Sequence, residues 1–109
     1  MAERLFQIRG EIDVASAPAL QASLNGAVAD DDADLVVDCG DVTFIDETGI
    51  AVLTAAQRRL QAEGRSLRVV NANPTTARAI DIRGLDEFLR VNEQTDERRS
   101  NVTDMVTRR

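Results

Sequence analysis

Residues 35–39 constrain the fold of this chain most, because they form a strand-length run that is apolar on both faces. The run reads LVVDC, and Asp38 is its one charged side chain. A half-exposed strand alternates apolar and polar residues, whereas a central strand of a parallel sheet is apolar on both sides. We therefore predict that residues 35–39 lie near the middle of a mostly parallel sheet.

The apolar period changes from that of a strand to that of a helix soon after this run. Residues 42–45 continue the strand toward Asp46, and from Glu47 onward apolar side chains recur at helical spacing. The predicted buried stripe comprises Ile50, Leu53, Ala56 and Leu60, widened by Val52 and Ala55. The predicted solvent side comprises Gln57, Arg58, Arg59, Gln61 and Glu63. Gly64 is predicted to end the helix.

Further segments complete an alternation of strands and helices. The predicted elements are a strand at 4–9 that Gly10 ends, a helix that Ser16 caps and Pro18 opens, a strand at 66–72, a helix from Pro74 to Gly84, and a short strand at 87–91. This order predicts one α/β domain over residues 1–92, with a mostly parallel sheet of four to five strands and helices packed on it. Residues 93–109 are predicted to be a polar C-terminal helix or a flexible tail.

Composition excludes several classes of function. The chain has 109 residues and is 43% hydrophobic, which is enough for one compact core. It has no histidine and one cysteine, so imidazole catalysis, an internal disulfide and a Cys/His zinc site are all impossible. The net charge of −6 argues against binding nucleic acid non-specifically. No long apolar run is present, and we expect a cytoplasmic protein without direct membrane insertion.

The turn from Asp46 to Gly49 is the most informative local feature. Asp46 is predicted to cap the following helix, Glu47 to lie at its positive end, and Gly49 to permit close approach of another backbone. These structural roles account for the turn. The same position also suits phosphorylation, because free N–H groups at a helix start stabilise a phosphate, and Thr48 offers a hydroxyl there.

Other candidate sites are weaker. Cys39 is predicted to be a small buried hydrophobe, with a redox sensor as the alternative. The acidic segment 29–34 is predicted to be a solvated loop, because it lacks the spacing of a calcium loop. No glycine-rich phosphate loop and no nucleophile–base pair is visible, so we expect neither cofactor, nor metal, nor enzymatic activity.

Three segments together resemble the STAS domain, and specifically the anti-sigma factor antagonists. They read GEIDVASAPAL, DLVVDCGDVTFIDETGIAVLTAAQRRLQAEG and LRVVNANPTTARAIDIRGLDEFL, in the order and spacing of that family. The similarity extends from about residue 4 to residue 91. Its strongest element is an apolar strand followed by Asp, two small polar residues, Gly and an aliphatic residue.

The resemblance implies a non-enzymatic switch protein. Its partner would be an anti-sigma factor that is a serine/threonine kinase of the histidine-kinase-like ATPase fold, and binding would free a sigma factor. The implied partner-binding residues are Asp13, Asp46, Glu47, Thr48, Gly49, Ile50 and Ala51. Among them Ile50 would be a partly exposed contact, although its spacing also fits the buried stripe. The protein itself would be a monomer or a weak dimer.

The chain departs from the family pattern at the phosphoacceptor. The resemblance places Glu47 at that position, and a carboxylate does not accept phosphate in the ordinary way, which leaves Thr48 as a possible acceptor. Ala51 stands where glycine is frequent, and the family usually has an edge strand before the one predicted at 4–9. Two alternative functions remain open: a STAS subunit of a membrane transport ATPase complex, and a phosphorylation-insensitive scaffold or decoy.

Overall fold

The computed structural model describes residues 2–30 and 32–93 of the chain. The elements are β1 (Glu3–Ile12), α1 (Ala17–Asp30), β2 (Asp34–Ile45), α2 (Glu47–Ala62), β3 (Leu67–Val70) and α3 (Pro74–Ile82). Strands and helices alternate, as the sequence predicted. The segment after residue 93, predicted as a helix or a tail, lies outside the described residues.

The sheet within the described residues is parallel and has β2 at its centre. Its strand order is β1-β2-β3, and β2 pairs in parallel with both neighbours. Residues 35–39 are all buried, so the prediction of a central strand is confirmed. The connecting helices α1 and α2 contact each other, as expected when right-handed β-α-β connections place both helices on the same face of the sheet.

The predicted number of strands is wrong for this part of the chain, which has three rather than four to five. Residues 87–91 form turns instead of a strand. Arg90 and Asn92 have φ angles of 53° and 52°, and a backbone with such angles is not extended. The segment still lies along β3, because the N–H of Val69 donates to the carbonyl of Leu89 and the N–H of Asn92 donates to the carbonyl of Val69.

Gly10 does not end the first strand, which continues to Ile12. Its φ of +80° is in the left-handed region, and the pairing with β2 shifts its register between Gly10 and Glu11. Such a bulge bends a strand without ending it. The two additional residues of β1 bring its end to the start of α2.

One aliphatic core joins the sheet to the three helices. Its most buried members come from every layer: Leu24, Val37, Leu53, Leu60, Leu67, Val69, Ile80 and Leu89. Fully burying a side chain of this kind stabilises the fold by roughly 1.5–3 kcal/mol. No helix in the described ranges is long and apolar enough to cross a membrane.

Gln57 was predicted on the solvent side of α2, and this prediction is wrong. The side chain is fully buried, and its amide Nε2 donates to the carbonyls of Leu67 (2.8 Å) and Phe88 (2.7 Å). Its Oε1 accepts from the N–H of Leu67 at 2.7 Å. A buried amide with these partners is satisfied, and it ties α2 to the start of β3 and to the turn at Phe88. Gly64 has a φ of +76° just beyond α2, as its predicted role at the end of the helix requires.

Candidate functional site: the first turn of α2

Asp46 fixes the start of α2 with three groups at once. Its carboxylate accepts from the N–H groups of Thr48 (2.9 Å) and Gly49 (3.2 Å), and its carbonyl accepts from the N–H of Ile50 (3.0 Å). Its own N–H donates to the carbonyl of Ile12 at 3.1 Å. The predicted N-cap is confirmed, and the turn is held to β1 as well as to its own helix.

The loop that carries Asp13 lies beside this turn, as the sequence resemblance implied. Ile12 of β1 pairs with Ile45 of β2 in the sheet. Asp13 and Asp46 directly follow these two residues, so they lie at the ends of neighbouring strands. The Asp13 carboxylate accepts from the N–H groups of Ala15 (3.0 Å) and Ser16 (3.1 Å). Within the described residues no hydrogen bond joins the Asp13 side chain to residues 46–51. Asp13 therefore organises its own loop, and the sheet places that loop next to α2.

Ser16 connects the same loop back to β1. Its hydroxyl donates to the carbonyl of Glu11 at 2.7 Å and accepts from the N–H of Asp13 at 2.9 Å. Its carbonyl accepts from the N–H of Leu20 at 3.1 Å, which starts the hydrogen bonding of α1. Ser16 thus directly precedes α1, but its side chain does not cap that helix as predicted, because the hydroxyl bonds to Glu11 and Asp13 and stabilises the Asp13 loop instead.

Glu47 is the most exposed carboxylate of the turn. Its side chain is 81% accessible, and the guanidinium of Arg83, at the end of α3, lies 3.7 Å from its Oε1. An ion pair this exposed contributes little to stability, since solvent screens it. Glu47 therefore presents a negative charge to solvent at the positive end of α2, where the helix dipole stabilises that charge.

Thr48 follows Glu47 and is partly exposed. Its N–H is bound by Asp46, and its hydroxyl makes no hydrogen bond within residues 2–30 and 32–93. A hydroxyl in this first turn is chemically accessible, because no structural contact has to be broken before it reacts.

Gly49 is buried against two strand ends, and no larger residue fits there unless a neighbour moves. A Cβ at this position would lie 2.6 Å from Cγ2 of Ile12 and 2.9 Å from Cγ1 of Ile45. Observed Cβ contacts are essentially never this short, so a neighbour would have to move. The sequence predicted close approach of another backbone, whereas the neighbours are isoleucine side chains.

Ile50 is 1% exposed and belongs to the core. The expectation that it is a partly exposed contact residue is wrong, because its spacing with Leu53 aims both side chains inward. Ala51, the next residue, is exposed. Within the turn Ala51 offers a partner only a methyl group, so a larger apolar contact has to come from neighbouring segments.

Two exposed aliphatic residues flank the turn, and sequence reasoning missed both. Val14, 72% exposed, directly follows Asp13, and Ile82, 68% exposed, directly precedes Arg83. Arg83 reaches Glu47, so Ile82 lies at the end of a helix that borders the turn. Periodicity could have identified Ile82, which follows the buried Ile80 by two residues and so lies off the face of α3 that Ala77 and Ile80 define. No sequence signal identifies Val14, whose exposure depends on how its loop packs.

Cys39 is a buried hydrophobe, as predicted. Burial, with a smaller contribution from the charge of Asp38, raises the pKa of the Cys39 thiol to about 12. A thiol that stays protonated is a poor nucleophile, and this argues against the alternative of a redox sensor. Among the described residues no group of three or more Cys, Asp or Glu side chains is arranged to hold a metal ion.

Comparison with known proteins agrees with this geometry. The family model of the STAS domain matches residues 3–98. The chain is 34% identical, over 89 residues, to the anti-sigma-B factor antagonist of Bacillus subtilis (strain 168), with 82% of this chain and 81% of that protein covered.

Solved structures show the same fold. The crystal structure of an anti-sigma factor antagonist from Mycobacterium paratuberculosis matches with a TM-score of 0.77 and 32% identity, covering 94% of this chain and 87% of that one. The unphosphorylated anti-sigma factor antagonist SpoIIAA matches with a TM-score of 0.74 at 18% identity, covering 96% and 88%. By the extent of the family match and the identity to its relatives, this chain belongs to the STAS domain family.

Proposed function

We propose that this protein is an anti-sigma factor antagonist, which binds a kinase-type anti-sigma factor and so frees a sigma factor. The relative from Bacillus subtilis, similar over most of both chains, is named for antagonism of an anti-sigma factor. The proposed binding surface is the first turn of α2, Asp46–Ala51, with the Asp13 loop beside it. Capping by Asp46 and the bond to Ile12 support this choice, because they hold the turn in one conformation before any partner binds.

The observation that carries the proposal is the exposed carboxylate of Glu47, at the position where the sequence resemblance places the family's phosphoacceptor. A carboxylate supplies about one negative charge, against about 1.5–2 for a phosphate. The protein therefore carries part of the charge of a phosphorylated antagonist permanently. We propose that it binds its anti-sigma factor more weakly than a form with a neutral hydroxyl at that position would, and that Thr48 is the remaining acceptor.

The apolar part of the binding surface is proposed to be Val14 and Ile82, because Ile50 is buried. The two side chains flank the charged turn, one beside Asp13 and the other beside Arg83. Burial of an exposed aliphatic side chain at an interface contributes favourable free energy, and well-packed central residues contribute most of it.

The deciding experiment is capture of partners by the full-length protein, followed by mass spectrometry and measurement of affinity. A kinase-type anti-sigma factor should bind wild type, and Glu47→Ser should bind it more tightly. Glu63→Ser, at the far end of α2, is the matched control and should leave the affinity unchanged. Capture of a transport ATPase instead would favour the membrane-complex alternative. Absence of binding to an active cognate kinase by both wild type and Glu47→Ser would contradict the proposal.

A further inference from the structure

The first strand has an unpaired edge along the described part of the chain. β1 pairs only with β2, so it is the edge strand of the sheet. The carbonyls of Ala2 and Ile12 both accept from the β2 side, from Asp34 and Asp46 respectively. At both register shifts the additional residue belongs to β2. The alternating direction of the backbone N–H and C=O groups is therefore continuous along β1.

The backbone N–H and C=O groups of successive residues in a strand point to opposite sides of the strand within the sheet. The even-numbered residues of β1 therefore direct these groups toward β2, and the odd-numbered residues direct them toward the open edge. The outward set within the regular part of the strand is Glu3, Leu5, Gln7 and Arg9. An edge of this length with free N–H and C=O groups is a template for another strand. The side chains on it decide which strand fits.

The outward residues of β1 are complementary to those of a second copy of β1 that runs antiparallel to it. If two copies of β1 run antiparallel about a two-fold axis at Phe6, each Glu3 lies opposite Arg9 of the other copy, and each Leu5 lies opposite Gln7. This opposite-charge pair then occurs twice by symmetry. Glu3 also holds Arg68 of its own chain at 3.3 Å, and a carboxylate has acceptor sites for both guanidinium groups. Outward residues face outward residues in this register, as antiparallel bonding requires.

Neighbouring registers lack this match. A shift by two residues in one direction places Glu3 opposite Glu11, which puts like charges together. A shift in the other direction places Glu3 opposite Gln7 and removes the opposite-charge pairs. Edge strands usually carry charges that repel another strand, whereas the charges of β1 select one partner and one register.

An apolar observation agrees with the same register. Leu5 is 49% exposed, on the sheet face opposite the core, and its register partner Val36 in β2 is buried. In the antiparallel pair, Leu5 and its symmetry copy are diagonal neighbours at roughly 7–8 Å, within reach of each other's side chains. Pairing would therefore cover one of the four exposed large aliphatic or aromatic side chains of the described chain.

We propose that β1 pairs antiparallel with β1 of a second copy of this chain, so that two three-stranded sheets join into one. The inference is independent of the proposed function. The paired segment ends at Arg9, whereas the turn at Asp46 meets β1 at Ile12. The dimer keeps both candidate binding surfaces open.

Sedimentation velocity over a concentration series up to about 1 mM tests the proposal. Wild type should dimerise reversibly, and added salt should weaken the dimer because the charge pairs are exposed. Arg9→Glu places like charges opposite each other twice and should raise the dimer Kd about tenfold or more. Arg59→Glu, the same charge change on the exposed side of α2, should leave the Kd unchanged. A monomer throughout the series would overturn the proposal.

The backbone contribution has its own variant. Gln7→Pro removes an outward N–H and leaves the bonds to β2 intact, because proline is tolerated where an edge N–H faces solvent. This variant should be monomeric, with the circular dichroism spectrum of wild type. A dimer whose Kd neither Arg9→Glu nor Gln7→Pro changes would show that another surface is used.

Disulfide trapping tests the register. A mixture of Leu5→Cys with Gln7→Cys should cross-link on oxidation, because directly opposite Cα atoms lie about 5.5 Å apart. Each variant alone should remain uncross-linked, since its two copies lie diagonally beyond about 7 Å. Cys39 is buried and protonated, so it does not compete. Cross-linking of each variant alone, and none in the mixture, would overturn the register.

Discussion

Gly49 of α2 packs against Ile12 of β1 so closely that a Cβ on the glycine would stand 2.6 Å from the isoleucine Cγ2. Ile12 thus limits the size of the side chain at position 49 in the first turn of α2, although the two residues are far apart in the sequence. The contact holds the end of β1, the end of β2 and the start of α2 together, and its disruption should be visible in stability.

Gly49→Ala should destabilise the protein by about 1–3 kcal/mol, because the added methyl group overpacks the contact with Ile12 and Ile45. Gly26→Ala is the matched control. Gly26 lies in α1 with open space around the position of a Cβ, so this change should stabilise the protein by about 0.5–1 kcal/mol. Chemical denaturation measures both, and equal effects of the two substitutions would contradict the packing argument.

Ile50→Ala should cost about 2–5 kcal/mol of stability, as should Leu53→Ala, because both side chains fill the core. Ile82→Ser should cost less than about 0.5 kcal/mol, because its side chain is largely in solvent. In a binding assay with the anti-sigma factor, Ile82→Ser should instead lower the affinity by about 1–2 kcal/mol. Unchanged affinity would remove Ile82 from the proposed surface.

Gln57→Ala should destabilise the protein by about 3 kcal/mol, because it leaves the N–H of Leu67 and two carbonyls without their partner and opens a cavity. Gln61→Ala, on the exposed side of the same helix, is the control and should change stability by less than about 0.5 kcal/mol. Amide hydrogen exchange should also accelerate at Leu67 in the Gln57 variant. Unchanged exchange there would show that the amide does not hold β3.

Wild type should be a poor substrate of its cognate kinase, because Glu47 replaces the hydroxyl that such a kinase reads. Any phosphate should appear on Thr48 and disappear in Thr48→Ala, whereas Glu47→Ser should be phosphorylated efficiently. In vitro phosphorylation with site mapping checks all three. Stoichiometric phosphorylation of wild type that survives Thr48→Ala would place the switch elsewhere, and an inert Glu47→Ser with an active kinase would refute the assigned acceptor position.

The Cys39 thiol should resist a thiol reagent at pH 8 in the folded protein and react at once in denaturant. Burial raises the pKa of this thiol to about 12, from a usual value of 9.0. The folded state therefore holds the proton more tightly than the unfolded state does. This preference contributes stability below pH 9 that is lost as the pH rises toward 12. Fast labelling under native conditions, at a rate independent of stability, would contradict the burial.

Local patterns in the sequence predicted the parts of the fold that depend on near neighbours. Residues 35–39 revealed a central strand by their composition, and Asp46 revealed a cap by its place before a helical period. The exposure of Ile50 was inferred from family resemblance against its own spacing, and the spacing was right. Periodicity reports which way a side chain points, so for burial it is a better guide than a family resemblance.

The features that sequence reasoning missed depend on contacts between distant segments. Gln57 has the spacing of the buried stripe, four residues after Leu53 and three before Leu60, but its polar side chain led to the prediction that it faces solvent. Its partners, Leu67 at the start of β3 and the carbonyl of Phe88, come from distant segments. The left-handed φ angles of Arg90 and Asn92 accompany turns where the last strand was predicted, and the apolar pattern of residues 87–91 does not reveal them. The partners of Gly49 come from two strand ends, which no local pattern identifies.

The four bonds of Asp46 have a consequence for how this turn can change. Its backbone N–H, carbonyl and carboxylate fix the path of the chain without using the side chains of Glu47 or Thr48. An acid, a hydroxyl or a phosphoester at position 47 can therefore occupy the same backbone, so the charge presented there varies while the shape does not. Under the proposed function, a single substitution at position 47 would convert a protein that a kinase can switch into one with a fixed carboxylate there, with no refolding.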